Sequence, residues 1–305
     1  MGYRGKAMTG WKRATPVLAA ALSLLGLSGA APAAFPGQNG RIAFDRDTGA
    51  GAEIITVKPN GQGQSRLTDN ARSDRNPAFS ANGNRIVFQA EVGGDDEIFA
   101  MDADGRHARR LTDNDDGDFE PSFSPNGKRI AFESNRVTAD NPEGESEIFT
   151  MRRDGSDVKQ LTVNDLFDND PAWSPDGDKI AFSRGDEDII TMNANGDNEK
   201  NLTDNGFDED DPNWSPSGRR ITYESFRGGD AEIFSIRRGG TNENPLTANA
   251  ADDTDPAYAP NGEAIAFVSN RGPGDGEIYR MDSDGSSERR ITNGRDDESP
   301  DWGTR

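Results

Sequence analysis

The sequence contains no cysteine and a single histidine, His107. No disulfide can hold the fold and no thiolate can act as nucleophile. The nitrogen and sulfur ligands that build zinc and haem centres are missing as a set, which excludes those centres. No glycine-framed serine of the hydrolase type occurs. After Leu27 no apolar run approaches the roughly 20 residues that a spanning helix needs. Basic residues are scarce, 34 against 55 acidic ones. That balance disfavours nucleic acid and anionic lipid as partners. It favours cations, or a protein with a basic contact surface.

The N-terminus departs from this composition. Arg4, Lys6, Lys12 and Arg13 precede an apolar run from Val17 to Leu27, and small residues follow to Ala31-Pro32-Ala33-Ala34. A basic start, a short apolar run and Ala-x-Ala read as a secretory signal over residues 1–33, cut after Ala33. The alternative is an uncleaved anchor, for which the run is short. Cleavage places the mature chain, 34–305, in the periplasm or outside the cell. Residues 1–33 carry four of the 34 basic residues and none of the 55 acids, so the mature chain has net charge −25. About 270 residues can bury a core large enough to fold without disulfides.

What the sequence has in abundance is repetition. Pro77, Pro121, Pro171, Pro212, Pro256 and Pro300 each open a similar unit, at spacings of 44, 50, 41, 44 and 44 residues. Two residues after each proline stands an aromatic: Phe79, Phe123, Trp173, Trp214, Tyr258 and Trp302. Within a unit four short runs are rich in aromatic and β-branched residues, and Asn-Gly or Asp-Gly pairs separate them. In the unit that opens at Pro121 these are Pro121 to Ser124, Arg129 to Phe132, Glu147 to Met151 and Val158 to Thr162. The pattern predicts four antiparallel strands per unit joined by hairpins. A period near 44 with four strands is that of a propeller blade.

The ends fix the blade count. The second-strand signature occurs six times, from Ile42 to Phe44 through Ile265 to Phe267, and the fourth-strand ending six times, from Leu67 to Ile291. The first unit lacks an opening strand; Phe35-Pro36-Gly37 matches poorly. The chain ends on an orphan opening strand, Pro300-Asp301-Trp302. The expected fold is therefore an all-β, six-bladed β-propeller whose C-terminal strand completes the N-terminal blade. Closure leaves no unpaired end blade. The aromatics that open each unit share one repeat position, which argues for packing between blades rather than for a ligand-stacking platform.

The unit Pro171-Ala172-Trp173-Ser174-Pro175-Asp176-Gly177-Asp178-Lys179-Ile180-Ala181-Phe182, with Glu147-Ile148-Phe149 and Leu161-Thr162 from the same series, resembles the repeat of the TolB-like propeller family, a WD-repeat-like group. The resemblance covers roughly residues 41–303. It implies a non-enzymatic module for protein–protein interaction in the cell envelope or outside the cell. TolB itself resembles a two-domain protein with a small α/β domain before its propeller, and that domain is not expected in this chain.

Loops then divide by face. First-to-second and third-to-fourth turns share one face; second-to-third and fourth-to-first connections share the other. The fourth-to-first connections hold 21 acids opposed only by Arg72, Arg75 and Arg295. Two positions recur in them. Three residues before each opening proline stands an acid: Asp74, Asp118, Asp168, Glu209, Asp253 and Asp297. These either cap turn N–H groups or bind a cation. Directly before the prolines stand Asn76, Glu120, Asp170, Asp211, Asp255 and Ser299. These are expected to ring the mouth of the central channel, where four acids repel one another unless water, a basic group or a cation screens them.

No catalytic residue is assigned, and no cofactor is expected unless a calcium ion sits among the acids. Calcium is the metal whose preference for oxygen ligands fits. Asp102-x-Asp104-Gly105 and Asp282-x-Asp284-Gly285 resemble the start of a calcium loop but lack its later glutamate, so they read as hairpin turns. His107 follows the first of these turns and is expected on the surface. The rival reading is a lyase or hydrolase that acts on an extracellular polymer through the acidic face. Oligogalacturonate lyases, which resemble such propellers, use several histidines that this sequence lacks. A monomer is expected.

Overall fold

In the computed structural model the described residues are 37–185, 187–272, 276–294 and 296–305. The proposed signal, residues 1–33, lies outside them. The described residues contain no helix; they form six antiparallel four-stranded sheets. Each sheet is one blade. Blade 4, for instance, consists of Asp168–Trp173, Lys179–Arg184, Asp188–Asn193 and Lys200–Asn201, in that order from the channel outward. Its outermost strand is only two residues long, which limits the exposed edge available for pairing with another chain.

Blade 1 is built from both ends of the chain. The C-terminal strand Asp297–Thr304 pairs antiparallel with Asn39–Asp47, with Ile42 opposite Trp302 and Ala43 opposite Asp301. Trp302 is completely buried and packs with Ile42 and Phe44 of its own blade and Ala264, Ala266 and Val268 of blade 6. The ring is thus closed through this strand. The other core clusters have the same form: Ala131 and Ile148 of blade 3, for example, pack against Trp173, Ile180 and Phe182 of blade 4. Both faces of a second strand are buried because each faces a neighbouring blade, which explains runs such as Ile130-Ala131-Phe132.

Two repeated residues earn their places through specific bonds. The Leu-Thr ending supplies a threonine whose Oγ1 accepts the third-strand isoleucine N–H, as Thr162 does from Ile148 at 2.9 Å. The glycines of the third-to-fourth turns press against the preceding blade: a Cβ on Gly196, at φ +94°, would lie 2.8 Å from the carbonyl oxygen of Leu161. Only glycine fits there.

The two loops of the acidic face are tied together in every blade. A backbone N–H from the end of the second strand or the loop after it donates to a carbonyl of the fourth-to-first loop: Asp47 to Asp296, Glu91 to Ser73, Asn135 to Gly117, Gly185 to Phe167, Phe226 to Asp208 and Asn270 to Asp252.

Candidate functional site

The innermost strands carry a bulge at one position in all six blades. In blade 4 Asn169 pairs with Ser183 and Ala172 with Ala181, so Asp170 and Pro171 stand opposite Phe182 alone. The proline has no N–H to offer the ladder, and the residue before it turns into the left-handed region. Asn76, Glu120, Asp170, Asp211, Asp255 and Ser299 have φ of 52°, 46°, 52°, 51°, 50° and 50°. Asn and Asp tolerate this conformation better than most residues, which gives them a backbone reason to occupy the position. The bulge also re-aims the side chain. All six residues line a channel of about 160 Å³, together with the opening prolines and with Phe79, Phe123, Trp173 and Trp214.

The ring is polarised around the axis. On one side Ser299 Oγ lies 3.4 Å from Asn76 Oδ1, and Asn76 Nδ2 donates to Glu120 Oε1. On the other side Asp211, Asp255 and Glu224 converge, each with a carboxylate oxygen within 4.8 Å of the other two. Desolvation in the narrow channel raises Glu120, Asp170 and Asp211 well above the ordinary carboxylate range, and neighbouring acids raise them further. Asp255 is pushed up to about 6, by desolvation first, although the Ser299 N–H holds it back. Protons shared among these groups offset the repulsion that the sequence implies.

Glu224 was not legible as a site residue. It is buried, its Oε2 accepts the Asp255 N–H at 3.2 Å, and burial raises it to about 8. Asp45 occupies the same position in blade 1, accepts the Asn76 N–H at 3.1 Å and is likewise raised to about 8 by desolvation. Gln89 of blade 2 accepts the Glu120 N–H at 3.1 Å. In each case the acceptor follows the second-strand aromatic and lies 31 residues before its donor. That constant offset is the signal in the sequence that connects them.

The second set of recurrent acids has a different setting. Asp74, Asp118, Asp168, Glu209, Asp253 and Asp297 are completely buried below the ring. Their donors are side chains rather than the turn N–H groups that the sequence suggests. Asn114 donates to Asp118, and Asn164 to Asp168, at 2.8 Å. Arg136 pairs with Asp118 at 2.6 Å, Arg184 with Asp168 at 2.7 Å, and Arg227, Arg271 and Arg46 pair with Glu209, Asp253 and Asp297. The loop N–H of Asn70, Asn114 and Asn164 goes instead to the third-strand Glu53, Glu97 and Glu147. A buried carboxylate without its arginine would cost several kcal/mol, about 3–5, so these acids are committed within the fold. The negative charge available to a ligand is that of the ring and of the exposed loop acids.

His107 sits on the opposite face, exposed, with Nδ1 2.6 Å from Asp102 Oδ2. The structure therefore brings the six residues before the prolines together, adds Glu224 and Asp45 to them, and keeps the only histidine away.

The profile of the TolB beta propeller domain matches residues 34–229 and 209–305. No curated protein matches the chain. Among solved structures the chain is similar to TolB from Acinetobacter baumannii, with TM-score 0.74 and 21% identity over 87% of this chain and 67% of that one. It is similar to a putative TolB from Agrobacterium tumefaciens, with TM-score 0.69 and 21% identity over 86% of this chain and 92% of that one. An oligogalacturonate lyase in complex with manganese is more distant, with TM-score 0.57 and 13% identity over 82% of this chain and 73% of that one. These identities speak to the fold. The profile match spans the propeller from end to end, and the chain belongs to the TolB beta propeller domain family.

Proposed function

We propose that this protein is an exported, non-enzymatic binding module that engages a partner protein of the cell envelope through its acidic face. The single observation that carries the reading is the convergence of Asp211, Asp255 and Glu224 at one side of the channel mouth. Three carboxylates offer the oxygen donors that calcium prefers, and the same oxygens suit a lysine or arginine from a partner. Either cation would take the place of the protons now held there, so binding is coupled to proton release. A polymer-cleaving enzyme would need an acid and a base of separate character near the ring. The histidine lies on the other face, and the acids at the mouth are all shifted in the same direction.

Titration calorimetry with calcium chloride tests the site. The wild type is expected to bind calcium more tightly as pH rises from 6 to 8, and more weakly at high salt, because exposed charges are screened over about 8 Å at physiological ionic strength. Asp170→Asn combined with Asp211→Asn should reduce affinity and leave the fold intact. Equal affinity for both proteins at both salts would remove the mouth as a binding site. Export predicts a mature protein that begins near Ala34, which intact-mass measurement of extracytoplasmic protein checks; retention of Met1 to Ala33 would refute cleavage.

A further inference from the structure

Seven large hydrophobic side chains are exposed among the described residues, and six of them lie on the face of the channel mouth. They are Val137, Val163, Leu166, Phe167, Phe207 and Phe226, and all belong to loops of blades 3, 4 and 5 or the connections between them. Phe167 is 54% exposed, Leu166 50% and Phe207 41%. The other three blades place no such side chain on this face among the described residues. A cluster of this kind in one sector is unlike the scattered single residues that any surface carries.

The backbone presents these side chains in order. The Gly185 N–H donates to the Phe167 carbonyl, and the Phe226 N–H to the Asp208 carbonyl beside Phe207. The Arg227 guanidinium stacks over Phe207 at 5.3 Å. Blade 4 also has a short second-to-third connection: its second strand ends at Arg184 and its third starts at Asp188, whereas in blade 3 the strands end at Ser134 and resume at Glu147. Blade 4 therefore forms a notch between taller neighbours. A cavity of about 380 Å³ opens there, lined by Leu166, Ile190, Arg184, Asp188, Glu199 and Asn201.

The unpaired charge on these loops is negative. Arg136, Arg184 and Arg227 are the cations of these loops, and each is held in an internal ion pair: with Asp118, with Asp168 and Glu199, and with Glu209 and Glu243. Asp165, Asp204 and Asp208 are exposed beside the aromatic residues and enter no ion pair among the described residues. An apolar centre with a charged rim has the anatomy of an interface.

We infer that the notch of blade 4 and the apolar arc around it dock a segment of another polypeptide in which lysine or arginine flanks large apolar side chains. Apolar side chains of the segment would cover Leu166, Phe167 and Phe207, and its cations would meet Asp165, Asp204 and Asp208. This rests on the reading of the protein as a binding module, and it places the contact off the axis, on one sector of the face.

The test uses the mature chain and three labelled synthetic peptides of twelve residues, alternating Lys-Leu, Lys-Ser and Glu-Leu, followed by fluorescence anisotropy. The Lys-Leu peptide is expected to bind, the Lys-Ser peptide at least tenfold more weakly, and the Glu-Leu peptide not at all. Phe167→Ser with Phe207→Ser should weaken Lys-Leu binding at least tenfold with no fall in melting temperature, since both side chains are exposed. Calcium binding by the serine variant should match that of the wild type, so the two sites fail separately. Unaltered affinity in the serine variant, equal binding of Lys-Ser and Lys-Leu, or no binding of Lys-Leu would overturn the inference. So would a dimer, seen by sedimentation, that the serine variant dissolves.

Discussion

Closure of the ring through the last strand makes the most demanding prediction. Trp302 is completely buried between blades 6 and 1. Truncating a fully buried tryptophan to alanine removes its transfer free energy and leaves a cavity, about 3–5 kcal/mol together. For a domain of this size each kcal/mol lowers Tm by roughly 2–4 °C, so Trp302→Ala should lower it by about 6–20 °C. Deleting Pro300 to Arg305 removes more. It takes away Trp302, its pairing with Ile42 and that of Thr304 with Asn39. It also takes away Asp301, whose Oδ2 accepts the Phe79 N–H at 2.6 Å and so latches blade 1 to blade 2. Without the deleted residues, blade 1 exposes the inner edge from Asn39 to Ala43 to the channel. Thermal unfolding followed by near- and far-ultraviolet circular dichroism should show a larger fall for the deletion than for Trp302→Ala. A deletion variant with the wild-type Tm would refute closure as the source of the ring's stability.

The raised carboxyl groups make stability depend on pH. Asp255, Glu224 and Asp45, at about 6, 8 and 8, keep protons in the native state that the unfolded chain releases near pH 4. Their contribution is complete below pH 4 and is lost as pH rises through 6 and 8. One extra proton held from pH 5 to 8 corresponds to about 4 kcal/mol, so denaturant unfolding should show lower stability at pH 8 than at pH 5, and Glu224→Gln should flatten the slope; a slope of the opposite sign would refute the assignment. Gly196→Ala should destabilise by more than about 1 kcal/mol, because φ is +94° and the Leu161 carbonyl blocks the Cβ. Urea unfolding of that variant, with Gly206→Ala as a control where nothing lies within 4 Å, separates the contact from the backbone effect. Thr162→Ala should cost about 1–3 kcal/mol, since it leaves the buried Ile148 N–H without an acceptor; an unchanged unfolding midpoint would show that another group takes the bond.

The blades and their number were written in the sequence because they depend on local chemistry. Asn-Gly and Asp-Gly turns, four-residue apolar runs and the orphan strand at Pro300 act within one period, and each constrains backbone that is close in sequence. The acids of the loops were also visible, since their positions repeat. What the sequence left open is which of them a ligand can reach. Asp168 and Asp170 are two residues apart, yet one is sealed beneath the loop with Arg184 and the other turns into the channel. The difference comes from a left-handed bulge at each proline, which flips one side chain to the axis and leaves its neighbour in the blade. Glu224 joins the mouth only because blade 5 packs on blade 6, and the exposed arc exists only where the short connection of blade 4 meets longer ones on either side. Repetition along the chain determined the fold; contacts between blades, which no single repeat contains, decided where charge and apolar surface come together.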